Sequence, residues 1–532
     1  MTSYYNRYHT IVLGVGGMGS AAVYELARRG KRVLGLEQFD IPNTLGSSHG
    51  YTRIIRKAYY EDPAYVMLIK RAYELWEEIE RRSGKQLLYK TGSLDAGPAD
   101  SWVFKGSQQS CIDHNLTHEV LTGREINRRF PGYKLPDEIM GVYQPDGGFL
   151  VPEDSTVAFV EAAHKLGAEI HGRETVLEWE PDGEGVLVTT DRDQYLADRL
   201  VITGGAWNEQ LLPFLRGLAL PERQVLAWLQ PETPQLFTPD NFPVFNLLVP
   251  EGRYYGFPVH GVPGFKFGKY HHFEEIVDPD DYQRDPTWED EDLLRNFASR
   301  YFPQGAGPTM SLTACMFTNS PDNHFIIDLH PDYPQISFAT GFSGHGYKFA
   351  SVIGEIMADL ADWGRSRHDL QLFNLARFTG QVSELYRDHP GRIRGGNREL
   401  RQHRRSLPRR RTRTRAPSTR RMQEARSGGS RYQPQPRDPG NQRTTSSRRA
   451  GQILRRNSTR RNSTRRNPTR RNPTRRNPTR RIHSQTARFS RPRSASPVGA
   501  VQHHRREFTD RNYYWDTTDP RFWEKDDIQT FW

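Results

Sequence analysis

The sequence predicts a mixed fold, of the α/β or α+β kind, joined to a disordered tail, and three features predict it. Residues 1–40 read as strand, glycine-rich turn, helix and strand. Helical and strand-like stretches then continue to about residue 380, as in a globular domain. Near residue 386 the composition shifts abruptly to Arg, Pro, Ser, Thr and Asn.

The apolar run at 8–13 leads into the turn, a helix-forming stretch reaches residue 29, and 32–36 is a second short buried strand. Residues 66–81 carry a good helical pattern, and 199–202 form a buried strand ending in Thr203-Gly204-Gly205. Residues 335–342 form another strand, followed by a glycine-rich loop and a helical pattern over 349–363.

The chain of 532 residues has room for two or three domains, and its net charge of +12 averages two unlike pieces. Residues 386–532 hold 40 Lys and Arg against 11 Asp and Glu, which leaves 35 basic and 52 acidic residues in 1–385. The tail contains a single lysine, Lys525, and repeats RRNST twice and RRNPT three times over 455–479. So few apolar residues cannot offset the ordering entropy, which predicts disorder. Such a tail is what a frameshift or a lost stop codon in a GC-rich gene would write. Its arginines would also contact nucleic acid non-specifically. Cys111 and Cys315 are the only cysteines, which argues against a disulfide framework or a metal site and fits a reducing, cytoplasmic setting. There is no run of 18 apolar residues and no charged-then-apolar leader, so no membrane span is expected.

GVGGMG at Gly14–Gly19 supplies a GxGxxG turn. Gly14 permits the tight turn, Gly16 lets the backbone approach a pyrophosphate, and Gly19 lets helix and strand pack closely. Glu37 lies 18 residues after Gly19, at the end of the second strand, where a carboxylate can bind ribose hydroxyls. Strand, turn, helix, second strand and terminal Glu together form a Rossmann-like unit for an adenine dinucleotide, either NAD or FAD. The segment GSSHGYTRIIRKAYY follows at 46–60. Read as a helix from Gly50, it places His49, Thr52, Arg53 and Arg56 on one face, with two arginines where the dipole calls for an anion. Late in the chain, Gly341, Gly344 and Gly346 leave a second loop open before a helix whose positive end would favour a reduced flavin's negative charge. Lys348, at that helix start, equally calls for an anion.

GVGGMG, GSSHGYTRIIRKAY, YYGFP, the lysine of GFKFG, ACMFTNSPDNHFIIDLHP and GFSGHGYKFASVIGE together resemble the family of monomeric sarcosine oxidase and N-methyl-L-tryptophan oxidase, within the FAD-dependent amine and D-amino-acid oxidases. The resemblance spans about residues 8–378, and HDLQLFNLARF looks like the family's normal end. It implies a Rossmann-like FAD-binding domain (about 8–85, 150–215 and 315–378) interleaved with an antiparallel-sheet substrate domain (about 86–149 and 216–314), all within 1–385, with 386–532 as the tail. It implies a monomer that oxidises an N-methyl amino acid with oxygen, giving amino acid, formaldehyde and hydrogen peroxide. An oxidase or dehydrogenase of another secondary or cyclic amine is the alternative.

Position by position, Cys315 matches the cysteine joined covalently to FAD. Arg56 and Lys348 match the pair that holds the substrate carboxylate, a role that suits a guanidinium fork and an ammonium. Lys266 matches the catalytic lysine that promotes oxygen reduction, where a cation would stabilise developing negative charge. His49 and Arg53 match catalytic flavin-side residues, and Tyr255 and His271 match the substrate pocket. Ser48, Gly344, His345 and Gly346 complete the expected cofactor contacts. Two departures touch the pocket. Phe317 replaces a tyrosine, and the extra residue Lys269 leaves the alignment of His271 against His272 open.

Overall fold

The computed structural model describes residues 7–378. The repeat-bearing tail, with its expected disorder and nucleic-acid contact, lies outside the described residues.

Strand β1 (Arg7–Leu13) leads through the glycine turn into helix α1 (Gly17–Arg28), and β2 (Val33–Leu36) pairs parallel to β1. On the other side of β1, Gln194–Ile202 runs parallel and in turn pairs parallel with Ile336–Thr340. Glu169–His171 extends the sheet beyond β2. Such parallel strands are covered on both faces, which is why they read as continuous apolar runs. Helix Ala350–Trp363 lies against α1 so closely that a Cβ on Gly354 would fall 2.6 Å from the Ala21 Cβ. Gly14 adopts φ +85°, and a Cβ on Gly19 would meet the Gly14 carbonyl oxygen at 1.8 Å. The glycines of the turn are therefore required by geometry.

A second sheet of eight strands runs in the order Thr309–Asn319, Leu220–Leu229, Phe265–Lys269, Gly252–Phe257, Val244–Val249, Ser93–Pro98, Ile139–Gln144 and Glu119–Thr122. Its pairings are antiparallel except that of Val244–Val249 with Ser93–Pro98. Cys315 stands in this sheet, in the strand that borders Leu220–Leu229. Side chains alternate across the pleat. Val225, Ala227, Tyr254, Phe265 and Phe267 join a phenylalanine-rich core with Phe297 of helix Trp288–Tyr301, whose ring stacks on Tyr254 at 3.6 Å. Leu226, Trp228, Tyr255, Phe257 and Cys315 turn to the opposite face and form a separate cluster with Ile54 and Tyr270.

Residues 50–60, read above as a helix, are not one. Arg53–Ile55 is strand β3, paired antiparallel with Gly148–Leu150, and Gly50 and Tyr51 just before it have positive φ. The β-branched Ile54 and Ile55 suit a strand. The partner that decides the matter lies far along the chain. Helix α2 (Tyr65–Ser83) follows and buries Tyr65, Trp76 and Ile79.

Gly19→Ala is expected to lose about 1–3 kcal/mol of stability through overpacking of the turn, read by denaturant unfolding. A variant as stable as the parent would contradict the close strand–helix approach.

Candidate active site

Two cavities meet between the sheets. The larger, about 910 Å³, runs from the Gly14–Gly17 turn past Glu37 and Ser48 to Thr203–Trp207 and on to Cys315 and Gly344. The smaller, about 40 Å³, is an apolar chamber walled by Leu226, Tyr255, Phe257 and Tyr270, with His345 and Lys348 at one side. Arg53, Cys315, Phe317, Gly344 and Tyr347 line both. Cys315 therefore stands at the junction.

At the far end of the larger cavity, α1 begins at Gly16 with no side-chain cap and no acid in its first turn. Its unpaired N–H groups and dipole are left for an anion. A Cβ on Gly16 would find only Ser48 Oγ, at 3.6 Å, and that hydroxyl accepts from Gly17 N at 3.1 Å. Glu37 accepts from Val15 N at 2.9 Å and Phe39 N at 3.0 Å. Burial raises its pKa while those amides pull it back. Near the junction, Gly344 has φ +75°, and a Cβ there would strike the Phe317 ring at 2.4 Å. Burial also raises the Cys315 thiol, with Arg53 and Lys266 opposing.

Arg53 donates to the Ser47 and Thr52 carbonyls, both at 2.9 Å. Beside it, His49 is buried with an unpartnered Nε2. Burial first, then Arg53 and Lys266, drive its pKa to about 3, so the ring is neutral. Lys266 Nζ donates to Gly50 O at 2.6 Å, Thr52 O at 2.8 Å and Thr52 Oγ1 at 2.9 Å, and lies 4.3 Å over the Phe257 ring. Burial and Arg53 push its pKa well below the usual lysine range. The pleat explains its position: Phe265 and Phe267 point into the core, so Lys266 between them must face the site.

In the chamber wall, burial holds the Tyr255 phenol neutral. His345 Nε2 contacts the Asn323 carbonyl at 3.0 Å, an acceptor only, so it carries the proton. Nδ1 accordingly accepts from Tyr59 OH at 2.6 Å. Burial lowers the His345 pKa to about 3. Lys348 lies in the 3₁₀ turn Tyr347–Phe349 that precedes helix Ala350–Trp363, and its Nζ donates to His345 O at 2.6 Å. Burial, then Arg56, lower its pKa to about 7.

Arg56 stands behind the chamber and is not part of its lining. It is 1% exposed, and its fork donates to both Glu61 oxygens, at 2.8 and 2.7 Å, and to Ala58 O. Its Nε is 3.5 Å from Asp95 without a hydrogen bond. Burial opposes its charge, but Asp95 and Glu61 hold its pKa well above the usual arginine range. Burial alone would raise Glu61; Arg56, His345 and Lys348 instead bring it to about 2.

His271 is not brought to the chamber. Its Nδ1 meets Glu222 at 2.9 Å, on a residue with φ +53° whose side chain is 35% exposed, while His272 is bonded to Asp290 at 2.8 Å. Tyr270 lines the chamber instead. The strand Phe265–Lys269 keeps its pairing through Lys269, and the chain then bends, carrying the imidazole outward.

The FAD dependent oxidoreductase family model matches residues 9–360. The chain belongs to that family. It is 39% identical to the monomeric sarcosine oxidase of Bacillus sp. (strain B-0618) over 376 residues, 70% of this chain and 96% of that protein. It is 36% identical to the N-methyl-L-tryptophan oxidase of Citrobacter koseri over 380 residues, 70% of this chain and 100% of that protein. The solved structure of NikD, an unusual amino acid oxidase essential for nikkomycin biosynthesis, matches with a TM-score of 0.61 and 25% identity, over 69% of this chain and 97% of that one. In this FAD-dependent oxidoreductase, the start of α1 without an N-cap side chain and the open Gly16 are features that a bound dinucleotide would satisfy, so the residues fit the cofactor.

Glu61, Asp95 and Tyr270 escaped the sequence reading. The first had a local signal, a carboxylate five residues after Arg56 that directly follows Tyr59 and Tyr60. Asp95 had another, a charge in the middle of a strand that is otherwise apolar or small.

Because Lys348 in the free protein titrates near pH 7, it is mostly neutral above that value. A carboxylate bound there favours the charged form, so binding takes up a proton. The dissociation constant of a non-oxidised carboxylate ligand is therefore expected to rise up to tenfold per pH unit above about 7. Lys348→Met should flatten that dependence in a spectral titration; an unchanged slope would remove Lys348 from the carboxylate site.

Proposed function

We propose that this FAD-dependent oxidoreductase oxidises the N-methyl group of a secondary amino acid, with oxygen as the final acceptor. The junction of the two cavities carries this reading: a dinucleotide groove opens at Cys315 and Arg53 into an apolar chamber edged by Lys348. FAD supplies the two-electron acceptor that oxygen restores with release of hydrogen peroxide. Glu37, Ser48, the Gly14–Gly19 turn, Gly344 and Gly346 would hold it, and Cys315 would bind it covalently through its sulfur. Support for the link comes from the thiol's position on the lining of both cavities.

Lys348 takes the substrate carboxylate, and Arg56 contributes its fork by exchanging Glu61 for that carboxylate. Tyr255 and Phe257 exclude water from the face on which the N-methyl carbon lies. Neutral His345 and the phenol of Tyr255 add no competing charge. After oxidation the substrate is an imine, which water hydrolyses to the primary amino acid and formaldehyde. Lys266, its Nζ oriented by Gly50 O, Thr52 O and Thr52 Oγ1, supplies a donor where oxygen gains electrons and is held in the charged form as negative charge develops there. The family resemblance supports a monomeric enzyme. Among the described residues no helix is long and apolar enough to cross a membrane.

Lys266→Met is expected to slow reoxidation of the reduced enzyme far more than its reduction by substrate, in stopped-flow absorbance. Equal slowing of both steps would contradict the role of Lys266. Cys315→Ala is expected to leave a yellow colour that acid or denaturant extracts; colour that stays with the denatured chain would refute the covalent assignment.

A further inference from the structure

Around the chamber, cations outnumber carboxylates. Glu61 and Asp95 are both engaged by Arg56. Among the described residues, neither Lys348 nor Arg253 has a carboxylate within 4.0 Å. A substrate with one carboxylate answers Lys348 and leaves Arg253.

Arg253 is on the chamber side of the second sheet, packed on Tyr270 just outside the chamber's own lining. In the strand Gly252–Phe257 it shares a face with Tyr255 and Phe257, both of which line the chamber. It lies opposite Tyr270, whose N–H donates to the Arg253 carbonyl at 2.9 Å. The guanidinium covers the Tyr270 ring at 3.6 Å, with Trp102 at 5.1 Å and Tyr60 at 5.8 Å. Tyr60 is in turn 3.9 Å from the Arg56 guanidinium, and its buried hydroxyl has no partner. Arg253 is thus half-buried, with its flat faces against rings.

Aromatic faces leave the edge of a guanidinium free, and its N–H groups lie along that edge. None of the guanidinium N–H groups of Arg253 donates to a described protein atom. A half-buried fork held flat by rings and unbonded at its edge matches a carboxylate, which it takes through two parallel hydrogen bonds. The rings restrict its rotation, so little side-chain freedom is left to lose on binding.

We propose that Arg253 is a specificity-determining residue and that the site takes a secondary amino acid with a second carboxylate in its side chain. The α-carboxylate meets Lys348, and the side-chain carboxylate meets the edge of Arg253 near the free hydroxyl of Tyr60. This rests on the oxidation of N-methyl amino acids proposed above. A neutral side chain of the same size leaves the half-buried Arg253 fork unpaired, and the loss of that paired hydrogen bonding is what discriminates.

The test uses the full flavin-loaded chain. Sarcosine, N-methylaspartate, N-methylglutamate and the corresponding amides N-methylasparagine and N-methylglutamine, each chiral compound as both enantiomers, are compared by peroxide release and by anaerobic loss of flavin absorbance. At least one acid is expected to exceed its own amide tenfold or more in kcat/KM, mainly through KM. Arg253→Met should collapse that acid-to-amide ratio toward unity, and Arg253→Lys should restore part of it. Oxidation of sarcosine with no acid preferred to its amide would overturn this inference alone, as would an Arg253→Met variant that keeps the ratio. If none of the N-methyl amino acids is oxidised, the proposed function and this inference fall together.

Discussion

Alternation along the second sheet governs the site. Each strand there serves two bodies at once, because successive side chains point to opposite faces. One set, with Tyr254, Phe265 and Phe267, anchors the sheet in the phenylalanine core. The other, with Tyr255, Phe257, Lys266, Leu226 and Cys315, makes the wall against which the nucleotide-binding unit closes. A shift of one residue in register would bury Tyr254 in the chamber and turn Lys266 into the core. The aromatic core that fixes the register is thus what sets the cysteine and the lysine in position.

Burial of charge is the second constraint, and it follows from the first. A sheet face closed over by other parts of the fold excludes water, so every ion on it needs an answer. Arg56 is answered in this structure by Glu61 and Asp95, so a substrate carboxylate must compete with Glu61 for its fork. Lys266 is answered by three backbone and hydroxyl oxygens, which orient it without neutralising it. Lys348 has only a carbonyl, and burial, with Arg56 beside it, weakens its hold on its proton. The gradation from pinned to poised cations is what makes the chamber receptive to an anionic substrate and to oxygen's developing charge.

The β1–α1–β2 unit was legible in the sequence because its signals are local: apolar run, glycine spacing and terminal Glu37 lie within about forty residues. Helices Tyr65–Ser83 and Ala350–Trp363 agreed with the helical patterns read there to within two residues at either end. The stretch around Arg53 misled, because its i, i+3, i+4 and i+7 spacing fits a helix while Gly148–Leu150 captures it as a strand. Nothing near Arg53 encodes that partner. His271 failed for a related reason: an extra residue at the end of a strand changes where the chain bends, and only three-dimensional pairing fixes it. The carboxylates of Glu61 and Asp95 were invisible as a pair, because 34 residues separate two groups that share one guanidinium.

The central claim is that a flavin at the Cys315 junction takes electrons from an N-methyl amino acid and gives them to oxygen. Anaerobic mixing of the purified flavin-loaded chain with sarcosine tests it most directly. The expected result is loss of the yellow absorbance, its return on admission of air, and formaldehyde and peroxide in equal amounts. Absorbance that persists without oxygen under sarcosine, N-methylaspartate and N-methylglutamate alike, in a protein whose flavin is reducible by dithionite, would contradict the account.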